Sequence, residues 1–179
     1  MPQLSDLPTI AHNEEPTIHY FATLEETSLS IWLRESGFAF FSSLTLHSLA
    51  MAVVVGINIA VNLQLLGVGG GKHLHRLVPL YRLHWLGALL VLLSGIALLL
   101  AYPAKALTNP VFYFKLTALS CGLLIARSVQ LQLQSSDQGL AQMGLSSLAA
   151  WSLLMWLLAI TAGRFLAYTY TILLASRFY

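Results

Sequence analysis

Two histidines inside long apolar segments are the residues of this sequence best suited to chemistry. They are His47 and His84. Neutral imidazole is a good ligand for iron and a poor group to pack among apolar side chains, and two imidazoles on antiparallel helices would hold a b-type haem between them. Counted from the glycine-rich turn between them, the histidines are offset by roughly 10 Å along the helix axes, so a shared haem requires helix tilt. Separate roles for the two rings, and purely structural roles, are the alternatives.

Two cations in later apolar segments form a second candidate group. Lys115 follows the start of one segment, and Arg164 stands near the end of the next. If these segments are antiparallel helices, both cations lie at about the depth of His47. The three groups together would suit a haem propionate or a lipid phosphate, or would polarise a quinone carbonyl. The alternative is that both side chains extend their stems toward the lipid headgroups.

Two asparagines share a helix face with His47. At about 100° per residue, Asn58 and Asn62 return to within roughly 60° of the direction of His47. Such a polar stripe either lines a ligand site or proton pathway, or forms hydrogen bonds to neighbouring helices. Both asparagines are candidate cofactor-binding residues, although amide groups are well suited to the structural role.

The composition predicts an integral membrane protein. Hydrophobic residues make up 57% of the 179 residues and charged residues 9%, against about 25% charged residues in soluble domains. The nine Lys and Arg residues are scattered singly, which excludes nucleic acid as a partner. No HExxH, GxSxG or CxxC motif is present, so we expect a subunit rather than a stand-alone enzyme.

Four segments are long enough to cross a hydrocarbon core of about 30 Å as helices. Their short connections predict antiparallel neighbours along the chain, and the helical alternation of polar and apolar residues ahead of them predicts an interfacial helix. The predicted fold is therefore an all-α integral membrane four-helix antiparallel bundle with an N-terminal interfacial amphipathic helix. Its parts are an acidic tail (1–23), the interfacial helix (24–37), a transmembrane domain (38–172) with spans at 38–66, 78–102, 110–130 and 145–170, and a C-terminal tail (173–179).

The distribution of Lys and Arg predicts the orientation. Lys72, Arg76, Arg82 and Arg127 flank the first and third connections. Basic residues in short loops favour the cytoplasmic side, so we expect both termini outside.

Small residues recur at every fourth position in the last two spans. The stripes are Ala118, Gly122 and Ala126, and Ala159, Gly163 and Ala167. Such spacing favours close approach between helices.

Several stretches resemble a family of four-helix bacterial membrane proteins of unknown function. They are WLRESGFAF, LHSLAMAVVVGINIAVNLQLLG, GALLVLLSGIALLLAYP, NPVFYFKL and MWLLAITAGRFLAY, and together they fall within residues 27–172. The resemblance implies the four-helix architecture and a bacterial inner membrane. Through His47 and Lys115 the chain is also loosely similar to the copper-resistance D type of membrane domain and to b-type cytochrome subunits. His84 favours haem, and the lack of a Met-rich motif argues against copper.

Two functions follow from these observations. The first is a membrane electron-transfer subunit, in which His47 and His84 ligate b-type haem and Lys115 and Arg164 hold its propionates or a quinone headgroup. The second is an accessory subunit of a larger membrane complex, in which the small-residue stripes and the acidic tail bind other subunits or a second copy of the chain. In both, the lipid bilayer is the immediate environment.

Overall fold

The computed structural model of the protein describes residues 23–68, 74–134 and 142–175. Most of the predicted acidic tail, the end of the C-terminal tail and the centres of two connections lie outside the described residues. No strand occurs among the residues described.

The described chain is helical almost throughout. Its helices are α1 (Ser28–Glu35), α2 (Gly37–Leu65), α3 (Leu80–Ala101), α4 (Pro103–Leu107), α5 (Pro110–Gln134) and α6 (Gln142–Ala175), with a 3-10 turn at Leu74–Leu77. The predicted all-α class is confirmed. Helices α2, α3, α5 and α6 match the four predicted spans to within a few residues at each end.

The four long helices have the length and composition to cross a membrane. Only 22% to 33% of the residues in their most apolar stretches are buried inside the protein, and large side chains such as Leu86, Leu124 and Leu157 are more than half exposed. Apolar surface on this scale is stable against lipid and not against water. The fold is therefore an all-α membrane bundle.

Cross-helix contacts show that adjacent helices run antiparallel. On α2 and α3, His47 meets Ser94 while Asn58, further along α2, meets His84, further back on α3. Helices α5 and α6 show the same pattern, since Lys115 lies against Gly163 and the backbone of Gly122 against Trp156.

The expectation that all consecutive spans are neighbours holds for two of the three connections. Helix α2 packs along α3 and α5 along α6, and α2 also packs against α6, but close backbone contacts between α3 and α5 are few. Large side chains separate α3 from α5: Trp85 reaches across to donate a hydrogen bond to Gln130 Oε1 at 2.8 Å. The bundle thus consists of two hairpins joined through α2 and α6.

The small-residue stripe of α5 faces the bundle interior. Ala118 and Ala126 are buried, and a Cβ atom on Gly122 would lie 3.2 Å from Cε2 of Trp156. The stripe lets the large indole of α6 approach the α5 backbone. This contradicts its assignment as a surface for another subunit, because the residues are already covered within the chain.

Helix α1 packs across one end of the bundle. Thr27 Oγ1 accepts a hydrogen bond from Ser30 N and caps the helix, while Leu33 is buried in a small apolar cluster with Ala39 and Ala101. Trp32 is exposed. A helix at this position is confirmed, and its location in a membrane interface stays a prediction.

Candidate functional site

The first candidate residue, His84, lies in the interior of the bundle, near the end at which α3 begins. Its side chain is fully buried, and its Nδ1 atom is 3.0 Å from Nδ2 of Asn58 on α2. The ring meets those of Trp85 and Trp156 edge to face, at centroid distances of 5.0 Å and 6.5 Å. His84 therefore links three of the four membrane helices.

The hydrogen bond to Asn58 determines which nitrogen of His84 carries the proton. Asn58 Nδ2 also donates to the carbonyl oxygen of Val54 at 2.8 Å, which identifies this atom as the amide nitrogen. His84 Nδ1 must then accept, so in the neutral ring Nε2 is the N–H group. Within the described part of the chain, neither this Nε2 atom nor Nε1 of Trp156 has a hydrogen-bond partner, although both are buried. The surrounding ring faces give such donors only weak compensation.

The second candidate residue, His47, has a different environment. It is partly buried, and its Nδ1 lies 3.0 Å from Oγ of Ser94 on α3. Ser94 Oγ donates its own proton to the carbonyl oxygen of Leu90 one turn earlier. The hydroxyl can therefore only accept from the ring, and His47 Nδ1 is the N–H group. The lone pair of His47 then lies on Nε2, at the other side of the ring.

The His47 ring lies beside Gly95 of α3. A Cβ atom at Gly95 would lie 3.4 Å from Cε1 and 3.7 Å from Nδ1 of His47. A methyl group at this position would therefore be in van der Waals contact with the ring, whose Nδ1 is held by Ser94.

The Lys115 side chain lies across the next helix pair. Its Cε and Nζ atoms are both 3.6 Å from the position that a Cβ atom would take on Gly163 of α6, and its charge lies within electrostatic range of His47. Lys115 forms no ion pair with a carboxylate of the described segments. His47 and Lys115 thus lie toward the same end of the bundle, and their convergence on one ligand stays a prediction.

Arg164 does not join this pair. It is exposed on α6 beside Gly163, and no hydrogen bond or ion pair connects it to His47 or Lys115. One residue along a helix is a rotation of about 100°, so the Gly163 position faces α5 while Arg164 points outward. The predicted convergence of the two cations is not found.

The predicted polar stripe of α2 divides between two neighbours. His47 and Asn58 face α3, whereas Asn62 donates a hydrogen bond of 2.8 Å to Ser152 Oγ on α6. Both asparagines are buried. Asn58 positions His84 and Asn62 joins the two hairpins, so each fills the structural role described above.

One haem between the two histidines does not fit this arrangement. His47 lies at the level of Ser94, ten residues beyond His84 on α3, which is about 15 Å of helix rise. Two imidazoles on one metal need their ligating nitrogens within about 4 Å, given metal–nitrogen bonds of about 2 Å. Moreover, the lone pair of the neutral His84 ring is on Nδ1, where it already accepts the hydrogen bond from Asn58. Haem ligation by His47 alone stays a prediction.

Sequence reasoning missed the residues that orient the candidates. Ser94, Gly95 and Gly163 set the geometry of His47 and Lys115, and Trp156 encloses His84. The sequence signal that could have found Ser94 and Gly95 is the register between α2 and α3. An antiparallel hairpin that pairs Asn58 with His84 also pairs His47 with a residue near position 95. To predict that register, one must know the exact residue at which α3 begins.

No family model, curated protein or solved structure matches this chain. The resemblance noted from the sequence therefore stays a prediction, and the function is argued from the site.

Proposed function

We propose that the chain is a membrane subunit that binds a quinone headgroup between His47 and Lys115 and takes part in membrane electron transfer. The observation that carries the proposal is the pairing of a histidine whose lone pair is on Nε2 with a lysine that has no described counter-ion. Both residues lie inside the same end of the bundle: Lys115 is five residues, or about 8 Å, into α5, and Ser94, the partner of His47, is seven residues, or about 11 Å, before the end of α3.

The chemistry of the two side chains is complementary to both redox forms of such a headgroup. A quinone supplies two carbonyl oxygens, which become hydroxyl groups when it takes up two electrons and two protons. The Lys115 ammonium donates to a carbonyl oxygen, and His47 Nε2 accepts a hydroxyl proton. The electrons pass to or from a redox subunit of the same complex.

The layer beneath these polar groups suits a flat apolar ring. One helical turn deeper than His47, Lys115 and Ser94 are Met51, Leu119 and Leu90, which pack against a buried cluster that contains Val91 and Trp156. The arrangement of two polar groups above an apolar floor is typical of small-molecule sites.

We further propose that this site lies in the outer half of a bacterial inner membrane, and the charge distribution supports this orientation. Arg82 and Arg127 are exposed near the opposite end of the bundle, and basic residues favour the cytoplasm. The two termini then lie outside, on the side of His47.

The test is a binding titration of a short-chain quinone to the purified protein in detergent, followed by quenching of tryptophan fluorescence. We expect saturable binding, and we expect His47→Ala and Lys115→Met each to weaken it at least about tenfold, or 1.4 kcal/mol. Lys115→Met keeps an unbranched stem of similar length and removes the charge. Arg164→Gln is the matched control, because it removes a cation one residue from Gly163 that the structure places outside the site.

Two results would overturn the proposal. One is binding that is absent, or equal in wild type, His47→Ala and Lys115→Met. The other is a Soret band in protein purified from native membranes that is lost in His47→Ala, which would assign His47 to haem.

A further inference from the structure

A groove between α3 and α5 opens at the end of the bundle opposite to His47. Its volume is about 410 Å³, within the range of about 300–1,000 Å³ of small-molecule sites. Its lining comprises Val78, Pro79, Tyr81, Arg82, Trp85, Gln130 and Gln134. The groove exists because α3 and α5 make few close backbone contacts.

The hydrogen bonds in the wall of this α3–α5 groove leave donors free to face a ligand. Gln130 Oε1 accepts from Trp85 Nε1 at 2.8 Å and from Arg127 Nη1 at 3.2 Å. Two donors on one oxygen fix the orientation of the amide, so the NH₂ group of Gln130 is its remaining polar group. It forms no hydrogen bond within the described part of the chain.

Among the residues that the structure describes, the charge at this end of the bundle is positive. Arg82 lies in the groove and Arg127 beside it, and neither forms an ion pair with a described residue. The described carboxylates, Glu25, Glu26 and Glu35, belong to the segments before α2, at the other end. First-turn positions of α3 contain no acidic residue either. The groove is therefore complementary to an anion.

The level of these groups along the helices matches that of lipid phosphates. Arg82 is two residues into α3, whose 22 residues are about 33 Å long, close to the thickness of a hydrocarbon core. The ring of Tyr81 lies beside the arginine and that of Trp85 about one helical turn deeper, and both line the groove. A cation and amide donors beside aromatic rings fit an amphiphile and not a fully hydrated ion.

We propose that the α3–α5 groove binds an anionic phospholipid, with its phosphate on Arg82 and the Gln130 amide. Its acyl chains lie along the gap between α3 and α5, where they complete the packing that these two helices lack. Basic pockets between membrane helices on the cytoplasmic side are known to hold anionic headgroups. This inference is independent of the quinone proposal, since the two sites are at opposite ends of the bundle.

Native mass spectrometry of the detergent-purified protein tests the proposal, with phosphatidylglycerol and phosphatidylcholine of identical acyl chains as probes. We expect wild type to retain phosphatidylglycerol at least about fivefold better than phosphatidylcholine. Arg82→Gln should abolish the preference. Gln130→Glu should abolish it too, because Glu keeps the oxygen that accepts from Trp85 and Arg127 but replaces the amide donor with negative charge.

Arg76→Gln is the matched control, because Arg76 is an exposed arginine at the same end of the bundle that does not line the groove. Equal loss in Arg76→Gln and Arg82→Gln would overturn the proposal in favour of general attraction between charges. Competition by inorganic phosphate at millimolar concentration would also overturn it, since the site would then select a free anion. Helix content by circular dichroism identifies a variant that fails to fold. If Arg82→Gln does not fold, Arg82→Lys replaces it. Because Arg82→Lys keeps the charge, it should keep part of the preference for phosphatidylglycerol.

Discussion

The two imidazoles of the α2–α3 hairpin are each held at Nδ1 by a polar partner on the opposite helix, yet they present opposite chemistry. Asn58 donates to His84, which leaves an N–H group at Nε2. Ser94 accepts from His47, because its own proton is committed to Leu90, and this leaves a lone pair at Nε2. The difference shows that the partner, and not the histidine, decides which ring is a base.

The two rings differ as much in their surroundings. His84 is enclosed by Trp85 and Trp156 with no exposed surface, whereas His47 is partly exposed. One ring is therefore suited to hold helices together, and the other to meet a ligand. Three measurements test this contrast between the two histidines.

The largest effect is expected from removing each ring. His84→Ala leaves a cavity in the buried interior of the bundle and removes the hydrogen bond to Asn58, which should lower the free energy of unfolding by about 2–4 kcal/mol. His47→Ala should cost about 1 kcal/mol or less, because that site is already open. Unfolding in mixed micelles, followed by circular dichroism, measures both. Similar losses in the two variants would contradict the contrast.

Substitution of two glycines of α3, one beside each ring, should change the free energy of unfolding by a smaller amount. A Cβ atom on Gly87 would lie 2.9 Å from Cγ2 of Val54, whereas one on Gly95 would only reach the His47 ring at 3.4 Å. Gly87→Ala should lower the free energy of unfolding by about 1 kcal/mol, as overpacking outweighs the gain in helix propensity. Gly95→Ala should be neutral or stabilising by up to about 1 kcal/mol.

Gly56→Ala in α2 is the control for the glycine pair. A Cβ atom there would have no neighbour within 4 Å, so the variant reports helix propensity alone. If Gly87→Ala gains as much stability as Gly56→Ala, the α2–α3 contact beside His84 is looser than described.

The smallest effect is a change of tautomer. Nitrogen-15 NMR of histidine-labelled protein should show a protonated Nδ1 for His47 and a protonated Nε2 for His84, with the signals assigned by their loss in His47→Ala and His84→Ala. Ser94→Ala removes the acceptor and should move the His47 proton toward Nε2, while His84 is unchanged. The same tautomer for both rings in wild type would refute the assignment of base and donor.

The helices could be predicted from the sequence because the bilayer dictates them. A backbone in hydrocarbon must satisfy its own hydrogen bonds, so any apolar run of sufficient length forms a helix. Single polar residues such as Lys115 near the ends of the runs leave this conclusion unchanged. For the same reason the spans were placed to within a few residues.

The register between helices was not predictable in the same way. The histidine offset depends on how many residues between Leu65 and Leu80 are helical, and the 3-10 turn at Leu74–Leu77 followed by Pro79 delays the start of α3. His84 therefore lies only four residues into its helix. Hydropathy does not encode this start, so the pairing of His47 with Ser94, and the 15 Å between the histidines, had to come from the structure.

A single hydrogen bond outside the membrane helices bears on the order of assembly. Glu25 Oε1 accepts from the backbone nitrogen of Ala104 at 3.1 Å, at the beginning of the short helix α4. Glu25 precedes the first span, and Ala104 follows the second. During synthesis the glutamate has no partner until both spans have emerged and folded back on each other. The bond can therefore form only after α2 and α3 have paired as a hairpin.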